Sequence, residues 1–154
     1  MPRHSENRVL PYAPQQIYDL VADVARYPEF LPWTAAARIR SRRPIPERGE
    51  GAEVLEADLV ISFKVFREKF GSRVVLIPSE HRIETDYLDG PFKYLHSFWQ
   101  MEPEGDGCRV RFEVEFEFRN AVLQKIIGVV FNEAMQRVVR AFEQRAEALY
   151  GAQG

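Results

Sequence analysis

The chain is poor in the residues that do chemistry. Its 154 residues include one cysteine, Cys108, and three histidines, His4, His81 and His96. A single cysteine excludes an intramolecular disulfide and any cysteine-built zinc site. No two histidines stand at a metal-ligand spacing. There is no glycine-rich phosphate loop and no nucleophile elbow. No apolar run reaches the roughly 18 residues that a membrane-spanning helix needs. The polar start, Met1 to Arg8, is unlike a signal peptide. Charge of neither sign dominates, with 21 Lys+Arg against 23 Asp+Glu, so the basic footprint of a DNA-binding protein is missing. These absences predict a cytoplasmic protein, at most peripheral on the inner membrane. They predict no metal, no catalytic cofactor and no DNA partner.

Aromatic residues, by contrast, are plentiful: 11 Phe, 6 Tyr and 2 Trp. The length fits one domain, taken as residues 1–154. Residues 5–12 read as a short strand. Pro14 suits a first helical turn, and Ile17, Leu20, Val21 and Val24 follow at the spacing of an amphipathic helix. Pro28 and Pro32 confine a second helical piece to Ala25–Leu31. From Trp33 to Phe118 the apolar period falls to two. Leu55, Ala57, Leu59, Ile61 and Phe63 share one face, and Phe66, Glu68, Phe70, Ser72, Val74 and Leu76 another. Leu95, Ser97, Trp99 and Met101 form a further set. The last strand alternates six times, Cys108, Val110, Phe112, Val114, Phe116 and Phe118 against charged neighbours.

Asn120 is a good N-cap and Gly151 a good stop for one long helix over 121–150. Ile127, Phe131, Met135, Val138, Phe142 and Leu149 mark its inner stripe. Its first turns, Ala121 to Phe131, are more apolar than one buried stripe requires. The expectation is an α+β domain. A curved antiparallel sheet of about seven strands wraps a long C-terminal helix, with two short helices after the first strand.

Two readings of the aromatic set stand side by side. Leu59, Phe63, Phe70, Trp99, Phe112, Phe116, Phe131 and Met135 fill a dry core, or they line a pocket for an apolar ligand. Glu68 lies among apolar neighbours. It is either a polar contact or general base in a cavity, or a carboxylate at the sheet margin paired with an arginine. Arg38, Arg40 and Arg42 either contact RNA or anionic lipid, or balance Glu56 and Asp58 on a solvent face. Phe30, Leu31, Trp33 and Val129 form a candidate docking surface for a membrane or a partner, against ordinary packing.

The run Tyr18 to Val24, followed by Arg26-Tyr27-Pro28-Glu29-Phe30-Leu31-Pro32-Trp33, resembles the N-terminal signature of the coenzyme Q-binding proteins with a START-like domain. Glu68-Lys69-Phe70-Gly71-Ser72, Gly90-Pro91-Phe92 with Leu95 and Trp99, and Phe116-Glu117-Phe118 are similar to later motifs of that family. So are Ala141 to Arg145 and Tyr150-Gly151. Gly71 stands where relatives often carry a small hydroxyl residue. The resemblance implies a helix-grip fold and a hydrophobic cavity. It implies ubiquinone as bound ligand, support of respiratory electron transport, and a lipid chaperone rather than an enzyme. Bacterial members of the same family are also described as ribosome-association toxins, and the wider superfamily includes polyketide cyclases. Ribosome contact and cyclase-like chemistry, with Glu68 as acid or base, are therefore the alternatives.

Overall fold

The computed structural model describes residues 3–63 and 66–151; the side chains of Phe63, Phe66, Ile127 and Val130 lie outside the described set. The chain runs β1 (Arg3–Leu10), α1 (Pro14–Ala22), a 3₁₀ helix (Val24–Glu29), β2 (Thr34–Pro44), β3 (Glu53–Phe63), β4 (Phe66–Ile77), β5 (Arg82–Asp89), β6 (Phe92–Glu104), β7 (Gly107–Phe118) and α2 (Ala121–Tyr150). The sheet order is β1-β7-β6-β5-β4-β3-β2, and every pairing is antiparallel. β2 to β7 thus form a meander, with β1 closing one edge and β2 forming the other.

Local chemistry sets the element ends. The Gln16 side chain accepts from the Ala13 N–H at 2.9 Å, and Pro14 supplies the first turn of α1. Asn120 Oδ1 accepts from the Val122 and Leu123 N–H groups at 2.9 and 3.1 Å, which starts α2. Gly151, at φ 82°, ends it, with its N–H on the Glu147 carbonyl. The 30 residues of α2 make a rod of about 45 Å. Irregularities in β2, β5 and β6 bend the sheet around that rod.

The concave face carries the core. Leu55 and Ala57 of β3, Phe70, Val74 and Leu76 of β4, Trp99 and Met101 of β6 and the even-numbered side chains from Cys108 to Phe116 of β7 are all buried there. From α2 come Phe131, Val139, Phe142 and Ala146. The expected inner stripe holds at Phe131 and Phe142, and Met135 and Val138 are partly buried against the core. It fails at Leu149, which is exposed. In the last turns the buried line runs through Ala146 and Tyr150, against the core and α1, and this phase turns Leu149 outward. Tyr150 makes that contact, its hydroxyl donating to the Gln16 carbonyl at 2.9 Å. Ile127 lies outside the described side chains.

On the convex face the arginines of β2 meet acids. Arg40 donates to Asp58 from Nε at 2.8 Å, and to both Asp89 oxygens at 3.1 and 3.0 Å. Arg42 donates to Glu53 at 2.8 Å. Arg40 crosses directly over Gly71, where a β-carbon would lie 2.5 Å from its Nη2. The lack of a side chain at Gly71 is what lets the guanidinium reach both strands.

Candidate functional site

Between the sheet and α2 lies a cavity of about 290 Å³, at the small end of ligand-sized pockets. Each wall follows from strand phase. β3 contributes Leu59 and Ile61, β4 Phe70 and Ser72, and β5 Thr85. β6 contributes Phe92, Leu95, Ser97 and Trp99, and β7 the side chains at 112, 114, 116 and 118. α2 closes the cavity with Phe131, Ala134, Met135, Val138 and Phe142, and the loop before β2 adds Tyr27 and Leu31 to Thr34.

The rings interlock around this space. Trp99 stacks on Phe112 with centroids 4.4 Å apart and meets Phe142 edge-on at 4.9 Å. Phe116 meets Phe131 at 5.0 Å, and Phe92 stacks on Phe118 at 4.5 Å. Trp33 holds φ 63°, a backbone conformation uncommon for a bulky residue, and its carbonyl accepts from the Ser62 N–H at 2.8 Å. Both tryptophans of the chain therefore face the cavity.

No carboxylate, imidazole, amine or guanidinium lines this cavity among the described residues. Burial raises the Tyr27 phenol above its ordinary value, and its hydroxyl donates to the Val21 carbonyl. Cys108 is fully buried outside the cavity, and burial pushes its thiol up to about 11, which keeps it protonated and unreactive. The described residues contain no group of three or more His, Cys, Asp or Glu placed to hold a metal.

Seven residues named from the sequence meet in this one cavity: Leu59, Phe70, Trp99, Phe112, Phe116, Phe131 and Met135. Phe63 falls outside the described side chains. Glu68 requires correction. Its backbone phase is that of Phe70, but Glu68 is exposed and does not line the cavity. It pairs with Ile61 near the β3–β4 hairpin, beyond the part of the strand that Phe70 brings under cover. The set assigned to docking also divides. Leu31 and Trp33 line the cavity. Phe30 packs edge-on against Phe142 at 5.2 Å, with the Arg145 guanidinium 5.1 Å from its ring centre. Only Val129 is free surface, at 83% exposure. Sequence reasoning missed Ser72, Thr85 and Ser97 as site residues. The signal was present, since each interrupts an apolar face in phase with cavity-lining neighbours.

Residues 10–143 match the family described as polyketide cyclase/dehydrase and lipid transport. The chain belongs to this family. It is 38% identical to the ribosome association toxin RatA of Rickettsia prowazekii over 143 residues, covering 91% of this chain and 92% of that protein. It is 32% identical to the mitochondrial coenzyme Q-binding protein COQ10 homolog B of Xenopus laevis, covering 97% of this chain and 60% of the relative. The solution structure of the 18 kDa protein CC1736 of Caulobacter crescentus superposes with a TM-score of 0.81 at 37% identity, covering 99% of this chain and all of that one. The resemblance to the coenzyme Q-binding and ribosome-association family therefore holds, and the fold is START-like. No described helix is long and apolar enough to cross a membrane.

Proposed function

We propose that this chain binds a neutral isoprenoid lipid, ubiquinone or a close analogue, in the cavity under α2, and carries it as a chaperone in support of respiratory electron transport. The observation that carries the reading is the lining: mostly aromatic and aliphatic, with a few neutral hydroxyls and no charged side chain among the described residues. A fatty-acid carboxylate or a phosphate would lose its hydration there with no opposite charge to replace it. A quinone ring brings neutral carbonyls and a long apolar tail, whose burial is worth roughly 25 cal/mol per Å². The lipid-transport description of the family and the coenzyme Q-binding name of one relative support the same ligand class. With Glu68 in solvent, the cavity loses the acid or base that a cyclase reading needs. That position of Glu68 supports binding over catalysis.

The test is organic extraction of the purified protein, followed by chromatography and ultraviolet spectra before and after borohydride. A quinone spectrum that collapses on reduction is expected. A protein that yields no quinone and cannot be reloaded with one overturns the reading.

Ribosome association is the second reading. The names of the RatA relatives favour it, as do exposed Arg38 and Arg67 on the convex face. Arg40 and Arg42 are engaged by Asp58, Asp89 and Glu53, so they offer less to an anionic partner. Sucrose gradients after overexpression decide between the two. A loss of joined ribosomes that Arg38→Glu with Arg67→Glu abolishes, and that Ala134→Phe in the cavity leaves intact, would favour this second role.

A further inference from the structure

We infer that the polar ring of the ligand is seated on a row of three hydroxyls, Ser72, Thr85 and Ser97. This inference rests on the cavity-binding reading above. Three adjacent strands supply the row, one residue each from β4, β5 and β6, and all three residues line the cavity. Thr85 and Ser97 are direct cross-strand partners, which places their β-carbons about 5 Å apart. Ser72 pairs with Tyr87, one diagonal step from Thr85. The row therefore runs obliquely across the floor of the sheet, and Ser72 is 2% exposed.

Packing alone does not ask for hydroxyls here. Each breaks an apolar face, Phe70–Ser72–Val74, Ile83–Thr85–Tyr87 and Leu95–Ser97–Trp99, where alanine or valine would fill the same space. The other hydroxyls on the lining are already engaged. Tyr27 donates to the Val21 carbonyl and Thr34 to the Pro32 carbonyl. Among the described residues, none of the three floor hydroxyls has a hydrogen-bond partner, so their capacity is open to a ligand. A hydroxyl rotates, donating to a carbonyl or accepting from a phenol. The ligand class that fits is a neutral ring bearing carbonyl or hydroxyl oxygens, with an apolar tail against the rest of the lining. The row also supplies the polar contact that Glu68, in solvent, does not.

Both tryptophans line the cavity, so quenching of intrinsic fluorescence reports occupancy. The full chain is titrated with decylubiquinone and, as a carbonyl-free control, has decylbenzene competed against it. Thr85→Val and Ser97→Ala, singly and together, keep the shape of the floor. The double variant is expected to weaken decylubiquinone about tenfold, the loss of two ordinary hydrogen bonds, with decylbenzene unchanged. Equal decylubiquinone affinity in wild type and double variant overturns the hydroxyl seat and leaves the cavity reading standing. Absence of decylubiquinone binding by the wild type overturns both. Unchanged decylbenzene competition shows that the variants are folded.

Discussion

Arg8 of β1 and Glu143 of α2 meet across the sheet–helix junction, with Nη1 2.7 Å from Oε1. They stand beside a void of about 20 Å³, space for a single water, bordered by Glu6, Leu10, Trp99 and Phe142. The inward side of β1 is polar at three successive positions. His4 bonds Glu6 at 2.9 Å and Asn132 at 3.3 Å, and Arg8 reaches both Glu6 and Glu143. Here α2 is tied to β1 by an ion pair, Arg8–Glu143, and a hydrogen bond, His4–Asn132, beside the apolar packing of Val139 and Phe142. Removing one partner leaves the other charge partly buried. Glu143→Ala is therefore expected to cost about 1–2 kcal/mol, a fall in Tm of roughly 3–8 °C, measurable by calorimetry.

The Arg40 clamp makes stability depend on acid. Its guanidinium holds the buried Asp58 carboxyl below the ordinary 3.8. A carboxyl with a lowered folded-state pKa contributes stability above its unfolded value and loses it as the pH falls through the folded value. Unfolding free energy is therefore expected to drop as the pH is lowered from about 5 toward 3. Arg40→Leu removes the largest cause of the lowering; Lys69 and Arg38 still act in the same direction, and burial acts the other way. That variant is expected to lose about 1–3 kcal/mol near neutral pH and to show a flattened acid limb in urea melts.

Local features of this fold are legible in the sequence, and long-range ones much less so. Strand phase gave β3 its limits at 53 and 63, and the capping pair Asn120 and Gly151 gave α2, because both signals are local. Five cavity residues followed from the strand period and two, Phe131 and Met135, from the helical one. Glu68 shows the limit of that reasoning. Alternation tells which side of a strand a residue faces, but not how far along the strand the covering helix reaches. Leu149 fails for a different reason: the buried line of the last turns runs through Ala146 and Tyr150, out of phase with it. The three hydroxyls were passed over because small polar residues on an apolar face look like tolerated exceptions. Their meaning depends on their being neighbours across strands, which is set by register.

Filling the cavity separates binding from folding. Ala134 faces the 290 Å³ space from α2, so a larger side chain there meets room and not a packed wall. Ala134→Phe is expected to keep or slightly raise Tm, while decylubiquinone affinity falls by at least about tenfold. An unchanged affinity would mean that quinone binds elsewhere.

Gly128 interrupts α2 without a packing reason. A β-carbon there would meet nothing within 4 Å. Glycine inside a helix costs about 1 kcal/mol relative to alanine. Gly128→Ala is therefore expected to stabilise the protein by about 0.5–1 kcal/mol, read as a raised urea midpoint with an unchanged slope.

The outer side of α2 sets the last expectation. Val122, Ile126 and Val129 recur at i, i+4 and i+7, on the face opposite Phe131 and Phe142. They are 67%, 36% and 83% exposed. On the carrier role proposed above the protein approaches a bilayer, and this stripe on the helix that closes the cavity is an exposed apolar surface suited to that contact. Leu31 and Trp33 are poor probes of that contact, since changing them also alters the cavity wall. Val129→Glu alters only exposed surface, so folding stability is expected to stay within about 0.5 kcal/mol. Flotation with anionic liposomes is expected to fall by about fivefold or more, as a charge replaces a buried valine at the interface. Unchanged flotation of Val129→Glu would exclude this face as the point of contact.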